Sequence, residues 1–112
     1  MAALVTLEDV NLALKLDLVQ SGSPLAFTDY RVPDIEKKMD EATDIVLDYI
    51  TQADEDWTPE TVPGRVSAAI KLVIGSLFDD SEKAEMLSGL AGGDLKNPVV
   101  ALLYRLRDPS LA

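Results

Sequence analysis

Carboxylates are the side chains of this sequence with the clearest capacity for chemistry. Asp40, Asp44 and Asp48 recur every four residues, which places all three on one face if the segment is helical. Clustered carboxylate oxygens are the ligands that a hard cation such as calcium prefers. The alternative is a solvated helix face. We favour it because the apolar residues of the same segment fall on the opposite side.

A second acidic group, Asp54-Glu55-Asp56, begins like a calcium-binding loop. Counted from Asp54, the sixth position is Pro59, where such loops place a glycine. The twelfth position is Arg65, where they place a glutamate. Both positions fail the pattern, so we interpret this group as a charged loop between helices.

The commonest catalytic side chains are missing from the sequence. The chain contains no histidine and no cysteine, which removes the usual general base and the usual zinc ligands. Its serines lack a Gly-x-Ser-x-Gly setting, and its glycine cluster lacks the Lys-Ser or Lys-Thr of a phosphate-binding loop. We therefore expect a protein that is not an enzyme and that uses no cofactor and no metal ion.

Two groups of residues are typical of surfaces that bind other proteins. Trp57 lies in a polar loop, and tryptophan is enriched at interface centres, although a side chain folded over a helix end is the alternative. Tyr104, Arg105 and Arg107 come at the end of the last predicted helix. The arginines suit the negative end of the helix dipole, and the same residues could form a docking tip for a partner.

The elements that position these residues are predicted to be helical. Thr6 followed by Asp9 is a weak capping box, and apolar residues at spacings of three and four predict a first helix over residues 7–14. Residues 14–18 alternate between apolar and charged, which predicts an extended exit.

Residues 20–33 are predicted to form a loop because they contain three turn formers (Gly22, Pro24 and Pro33). We expect one of three large side chains to tether this loop to the core (Leu25, Phe27 or Tyr30).

The strongest helical pattern spans residues 34–52. Its apolar residues share one side (Ile35, Met39, Ala42, Val46, Tyr49, Ile50 and Ala53). Its acidic residues share the other side and form what we call the acidic face (Glu36, Asp40, Glu41, Asp44 and Asp48). The acidic face is a candidate solvent-facing surface.

Three further helical segments are predicted toward the C-terminus. Residues 64–78 have a wide apolar arc and few charges, which is typical of the most buried helix. Ser81 is predicted to cap a short continuation that ends at Leu87, before a cluster of glycines. Asn97 then caps a last helix, in which Pro98 takes the first position.

Composition and pattern together predict an all-α fold. We expect one domain over residues 1–112, a bundle of four to five helices with a long central amphipathic helix pair and extended termini. The net charge is −10, and residues 34–60 carry −8 of it. Basic residues come at most in pairs, such as Arg105 and Arg107, which argues against phosphate gripping. No apolar run approaches the roughly 18 residues that span a bilayer, so we expect no membrane association.

The order of these segments along the chain also matches a known pattern. The segments that carry it lie in the first, the long, the apolar and the last of the predicted helices and next to their ends (Leu7-Glu8-Asp9-Val10, Leu14-Lys15-Leu16-Asp17, Asp34-Ile35-Glu36, Asp48-Tyr49-Ile50, Val66 to Phe78, Asn97-Pro98-Val99-Val100-Ala101-Leu102-Leu103 and Tyr104-Arg105-Leu106-Arg107-Asp108-Pro109). In this arrangement the chain resembles the gp6-like head–tail connector, or adaptor, proteins of tailed bacteriophages, over nearly its whole length.

The resemblance implies a structural virion protein. Such adaptors assemble into a ring, usually a dodecamer, beneath the portal protein, and present a surface to a tail-proximal stopper or tail-completion protein. The C-terminal segment tends to reach the portal, and isolated subunits can be monomeric. The ring extends the DNA channel, through which DNA passes without specific binding. The acidic face would then look toward the channel or the solvent, at the head–tail interface of the virion or in the host cytoplasm during assembly.

Two other functions fit a small acidic helical chain. One is a protein-binding or regulatory module that uses its acidic face as a mimic. The other is a carrier protein, which needs an Asp-Ser-Leu opening a helix, and Asp80-Ser81-Glu82 matches that poorly.

Overall fold

The computed structural model describes residues 3–50 and 56–106, and every structural statement below concerns those residues. They form five α-helices, a two-stranded antiparallel hairpin and a final 3-10 turn, so the all-α prediction is confirmed. In chain order the elements are α1 (Leu7–Leu14), β1 (Gln20–Ser21), β2 (Ala26–Phe27), α2 (Val32–Tyr49), α3 (Gly64–Ser76), α4 (Asp80–Gly92), α5 (Pro98–Leu103) and the 3-10 turn (Tyr104–Leu106).

Helix α1 begins and ends where the sequence predicted. The Thr6 hydroxyl caps it by accepting from the Asp9 backbone N–H at 3.1 Å. The exit differs from the prediction, because Lys15 and Asp17 both adopt a left-handed conformation (φ 53° and 54°) instead of an extended one. These two turns fold the chain back, and Leu18 is thereby buried.

The loop predicted over residues 20–33 contains a hairpin that the sequence did not reveal. Gln20 pairs with Phe27 and Ser21 with Ala26, across a turn in which Gly22 has a φ of 93°. Of the three proposed tethers, only Phe27 packs against the core. Leu25 and Tyr30 are 67% and 90% exposed.

Helix α2 is shifted toward the N-terminus of its predicted range. It begins at Val32 because a proline is tolerated in the first turn, where its missing N–H has no helical partner to lose. It ends at Tyr49, since Ile50 already has an extended backbone. Its apolar side is buried as predicted, and a buried Thr43 hydroxyl accepts from the Leu4 N–H at 3.3 Å, which docks the N-terminal segment on the helix.

Helix α3 is the central helix, as predicted, although it ends at Ser76 rather than at Phe78. Five of its side chains are fully buried and join a single apolar cluster with residues from every other helix (Val66, Ala69, Ile70, Val73 and Ile74). Helices α2 and α5 pack on α3 most extensively, and α1 and α4 add further contacts.

Helix α4 is longer than predicted. Asp79, not Ser81, is its cap, and its carboxylate accepts from the backbone N–H groups of Ser81 and Glu82. These bonds lower the pKa of Asp79. The helix runs past Leu87 to Gly92, and Gly93 ends it in a left-handed conformation. The Asn97 cap of α5 and Pro98 in its first turn are confirmed.

Some predicted features lie outside the described residues. They are Ala53 of the predicted apolar side, most of the 54–56 acidic group, Arg107, and the extended termini. Within residues 3–50 and 56–106, no helix is both long enough and apolar enough to cross a membrane.

Candidate interaction surfaces

The acidic face lies along the outer side of α2. Its five carboxylates are all exposed (Glu36, Asp40, Glu41, Asp44 and Asp48). The spacing of four residues puts most of them in one row, with Glu41 beside it. Nowhere in the described part of the chain do three or more acidic side chains form a group that could hold a metal ion. The exposed Lys37 lies on the same side of the helix, so the arrangement is a surface with a net negative charge.

Trp57 lies just before α3 in a short turn. Its side chain is half-buried and packs against the apolar cluster. The adjacent turn is held by Thr58 and Thr61, whose hydroxyl accepts from the Thr58 N–H at 2.9 Å. Trp57 therefore covers part of the core and leaves its remaining surface to solvent.

The chain beyond α5 presents an aromatic and basic pair, which we call the Tyr104–Arg105 tip. Tyr104 is 45% exposed, and the Arg105 Nε donates to its hydroxyl at 3.2 Å. The guanidinium carbon lies 5.7 Å from the Tyr104 ring centroid. The hydrogen bond raises the pKa of Arg105. The two side chains thus form one preorganised unit, and Arg107 falls outside the described residues.

A cleft of about 640 Å³, which we call the α3–α4 cleft, opens between α3, α4 and the start of α5. Its floor is apolar (Leu72, Met86, Pro98 and Val99) and its rim is mainly acidic (Glu82, Glu85, Asp94 and Lys96). Sequence reasoning missed the cleft. Glu82, Glu85 and Gly89 share one side of α4 at helical spacing, but this signal appears only once α4 is known to reach Gly92.

Asn97 builds the wall of the cleft by joining α4 to α5. Its side-chain oxygen accepts from the N–H groups of Val99 and Val100 at 2.9 and 3.4 Å. Its side-chain nitrogen donates to the Met86 carbonyl at 3.1 Å. This approach needs a glycine at position 89, because a Cβ there would overlap the Asn97 side chain.

A polar cluster around Asp29 holds the hairpin to the rest of the chain. The buried Asp29 carboxylate accepts from the Val19 N–H at 3.1 Å and from the Arg31 side chain at 2.9 and 3.0 Å. Arg31 also donates to the Leu16 carbonyl at 3.0 Å. These donors, led by the Arg31 side chain, hold the pKa of Asp29 well below its usual range. The cluster attaches the hairpin to the preceding segment, and no motif in the sequence predicted it.

The candidate residues therefore lie on separate surfaces rather than in one site. The acidic face is on α2, Trp57 precedes α3, and the Tyr104–Arg105 tip follows α5. No family model, no curated protein and no solved structure matches this chain.

Proposed function

We propose that this protein is a structural virion protein, an adaptor subunit that forms a ring beneath the portal and joins a phage head to its tail. The observation that carries the proposal is the order of the helices. α1, α2, α3 and α5 occupy the segments on which the resemblance to head–tail connectors rests. The proposed partners are the portal protein and a tail-proximal stopper or tail-completion protein, and the proposed role is not enzymatic.

The acidic face supports a channel-extending role on electrostatic grounds. DNA carries a dense negative charge, and a surface lined by carboxylates repels it instead of gripping it. Five exposed carboxylates on one helix are enough to form such a lining when copies are repeated around a ring. DNA would then slide through the channel without sticking to its wall.

The test is electron microscopy of the protein mixed with the cognate portal ring. We expect an additional ring of density on the tail-facing side of the portal. A matched variant with Asp40→Asn, Asp44→Asn and Asp48→Asn should still dock, because the change removes charge from an exposed surface only. Portal rings that remain bare at saturating protein concentrations would overturn the proposal.

The acidic face also favours a second candidate, a small regulatory module that binds the basic surface of another protein. The two functions differ in how the triple Asp→Asn variant behaves. A regulatory module would lose its partner when the acidic face is neutralised, whereas an adaptor would retain portal docking.

A further inference from the structure

We propose that the α3–α4 cleft of one copy of this chain receives the Tyr104–Arg105 tip of a second copy. The inference rests on the proposed function and deepens it, because it names the seam between neighbouring ring subunits. Cleft and tip would repeat around the ring as one contact.

The cleft has the chemistry of a receiving site for a group that is both apolar and basic. Leu72 on its floor is 45% exposed, although this large apolar side chain lies beside the buried Met86 and Val99. Glu82 and Glu85 are exposed on the cleft side of α4, and neither forms a salt bridge with another described residue. Three carboxylates against one lysine leave the rim negative.

The tip has the complementary chemistry. Tyrosine and arginine are enriched among the residues that dominate binding energy at interfaces. The Arg105 guanidinium offers five N–H donors, and Tyr104 takes one of them, so others remain to meet a carboxylate. Residues 98–112 hold two basic residues (Arg105 and Arg107) against one acidic residue (Asp108), in a chain whose net charge is −10. The tip is thus the basic end of an acidic molecule.

The cleft of a copy cannot receive the tip of that same copy. Pro98 and Val99 line the cleft at the first turn of α5, whereas Tyr104 and Arg105 follow its last turn. At about 1.5 Å of rise per residue the two sites are roughly 8–10 Å apart along one rigid segment. The tip must therefore find the cleft of a different copy.

A contact between two different patches has a consequence for assembly. When two copies form one such contact, each keeps an unused cleft or tip, so further copies add until a closed ring or an open filament results. A reciprocal two-fold dimer, in which each tip enters the other copy's cleft, uses all four surfaces and stops at two copies. Association beyond a dimer therefore distinguishes the arrangement that an adaptor ring requires.

Analytical ultracentrifugation of the full chain at low salt tests the contact. We expect the wild type to associate beyond a dimer as its concentration rises. Glu85→Lys and Arg105→Glu should each weaken association about tenfold or more, because each places like charges together. The matched control is Glu60→Lys, the same charge change at an exposed position of the turn before α3, which should leave association unchanged. Circular dichroism shows whether each variant keeps its helices.

Mixing the variants gives a sharper result. Glu85→Lys keeps an intact tip and Arg105→Glu keeps an intact cleft. The altered cleft of the first also complements the altered tip of the second, so an equal mixture should associate beyond a dimer, with the two variants alternating. A chain that carries both changes should recover association, because the charges are exchanged.

Three outcomes would overturn the proposal: a wild type that associates no further than a dimer at millimolar concentration, single variants that associate like the wild type, or a mixture that associates no more than the single variants do. Binding of a basic peptide in the cleft of an otherwise monomeric protein also counts against it. Failure here is distinguishable from failure of the proposed function. Docking on the portal by a protein whose association ignores Glu85 and Arg105 would keep the adaptor and remove this seam.

Discussion

The helices around α3 and the hairpin segment of residues 15–31 are held in place by different forces. Around α3 the stabilising groups are apolar, and side chains such as Ile70 and Val73 have no exposed surface. In the hairpin segment most side chains are exposed, and the chain is tied down by hydrogen bonds that converge on Asp29. The helices around α3 are thus stabilised by the packing of apolar side chains, and the hairpin segment by hydrogen bonds to a charged carboxylate.

This difference determines which perturbation affects which region. Apolar packing is insensitive to proton concentration but responds to the loss of a few methyl groups. A carboxylate with several donors tolerates changes in nearby apolar volume but loses its bonds when it is protonated. We therefore expect core substitutions to destabilise mainly the helices around α3, and acid to destabilise mainly the hairpin segment.

The largest expected change in the free energy of unfolding comes from a substitution in the apolar core around α3. Ile70→Ala should lower the free energy of unfolding by about 2–5 kcal/mol, because it leaves a cavity among fully buried side chains. Urea unfolding measures the loss. Leu72→Ala on the same helix is the control, and its 45% exposure should limit its loss to less than half as much. Equal losses would contradict the difference in burial between the two side chains.

Gly89→Ala should come next, with a loss of about 1–3 kcal/mol, since the new Cβ forces Asn97 away from α4. The gain in helix propensity on replacing glycine offsets part of this loss. Gly92→Ala is the matched control in the same helix. Its Cβ would enter open space, so we expect thermal unfolding to show no change or a gain of about 0.5 kcal/mol. Equal shifts for the two variants would contradict the close contact.

Asp29→Asn should have a smaller global effect and a distinctive pH dependence. Because the folded-state pKa is depressed, the carboxylate stabilises the native state at every pH above its unfolded value of about 4. That contribution is lost as the pH falls below this value toward the folded pKa. The wild type should therefore exceed the variant in stability at neutral pH, and the difference should shrink in acid.

Urea unfolding at a series of pH values measures this difference, and hydrogen exchange at Val19 and Arg31 reports the hairpin alone. Asp44→Asn, on the exposed acidic face, serves as the control and should change neither amide. A gap between wild type and Asp29→Asn that persists unchanged below pH 3 would argue against the proposed role of the carboxylate.

The smallest expected effect is on the outside of the hairpin. Leu25→Ser should change stability by no more than about 0.5 kcal/mol, because the side chain is 67% exposed. Phe27→Ser, two residues later, should cost more, since Phe27 packs against the core. Thermal unfolding of the pair shows which hairpin side chain is the tether, and equal midpoints would mean that neither one is.

Local signals in the sequence were enough to predict the features that depend on neighbouring residues. The Thr6 cap, the bounds of α1, and the Asn97-Pro98 start of α5 all follow from bonds within a few positions. The burial of α3 follows from its periodic pattern. These features need no knowledge of the rest of the fold.

The missed features depend on residues far apart in the chain. Gly89 lies within α4, where the absence of a Cβ lets Asn97 pack against the helix. Glycine usually indicates the end of a helix, and at this position that interpretation was wrong. The hairpin depends on Asp29 accepting from Val19, ten residues away. The α3–α4 cleft could not be predicted for the same reason, since its walls come from three helices whose contacts no local pattern specifies.

Helix α5 has six residues, too few to be stable alone in water, so its direction is set by its neighbours. Its buried side chains (Val99, Val100 and Leu103) pack on α3, and Asn97 bonds both its first turn and α4. Substitutions in the core or at position 97 would therefore reorient the surface at the end of α5 while Tyr104 and Arg105 stay unchanged in sequence.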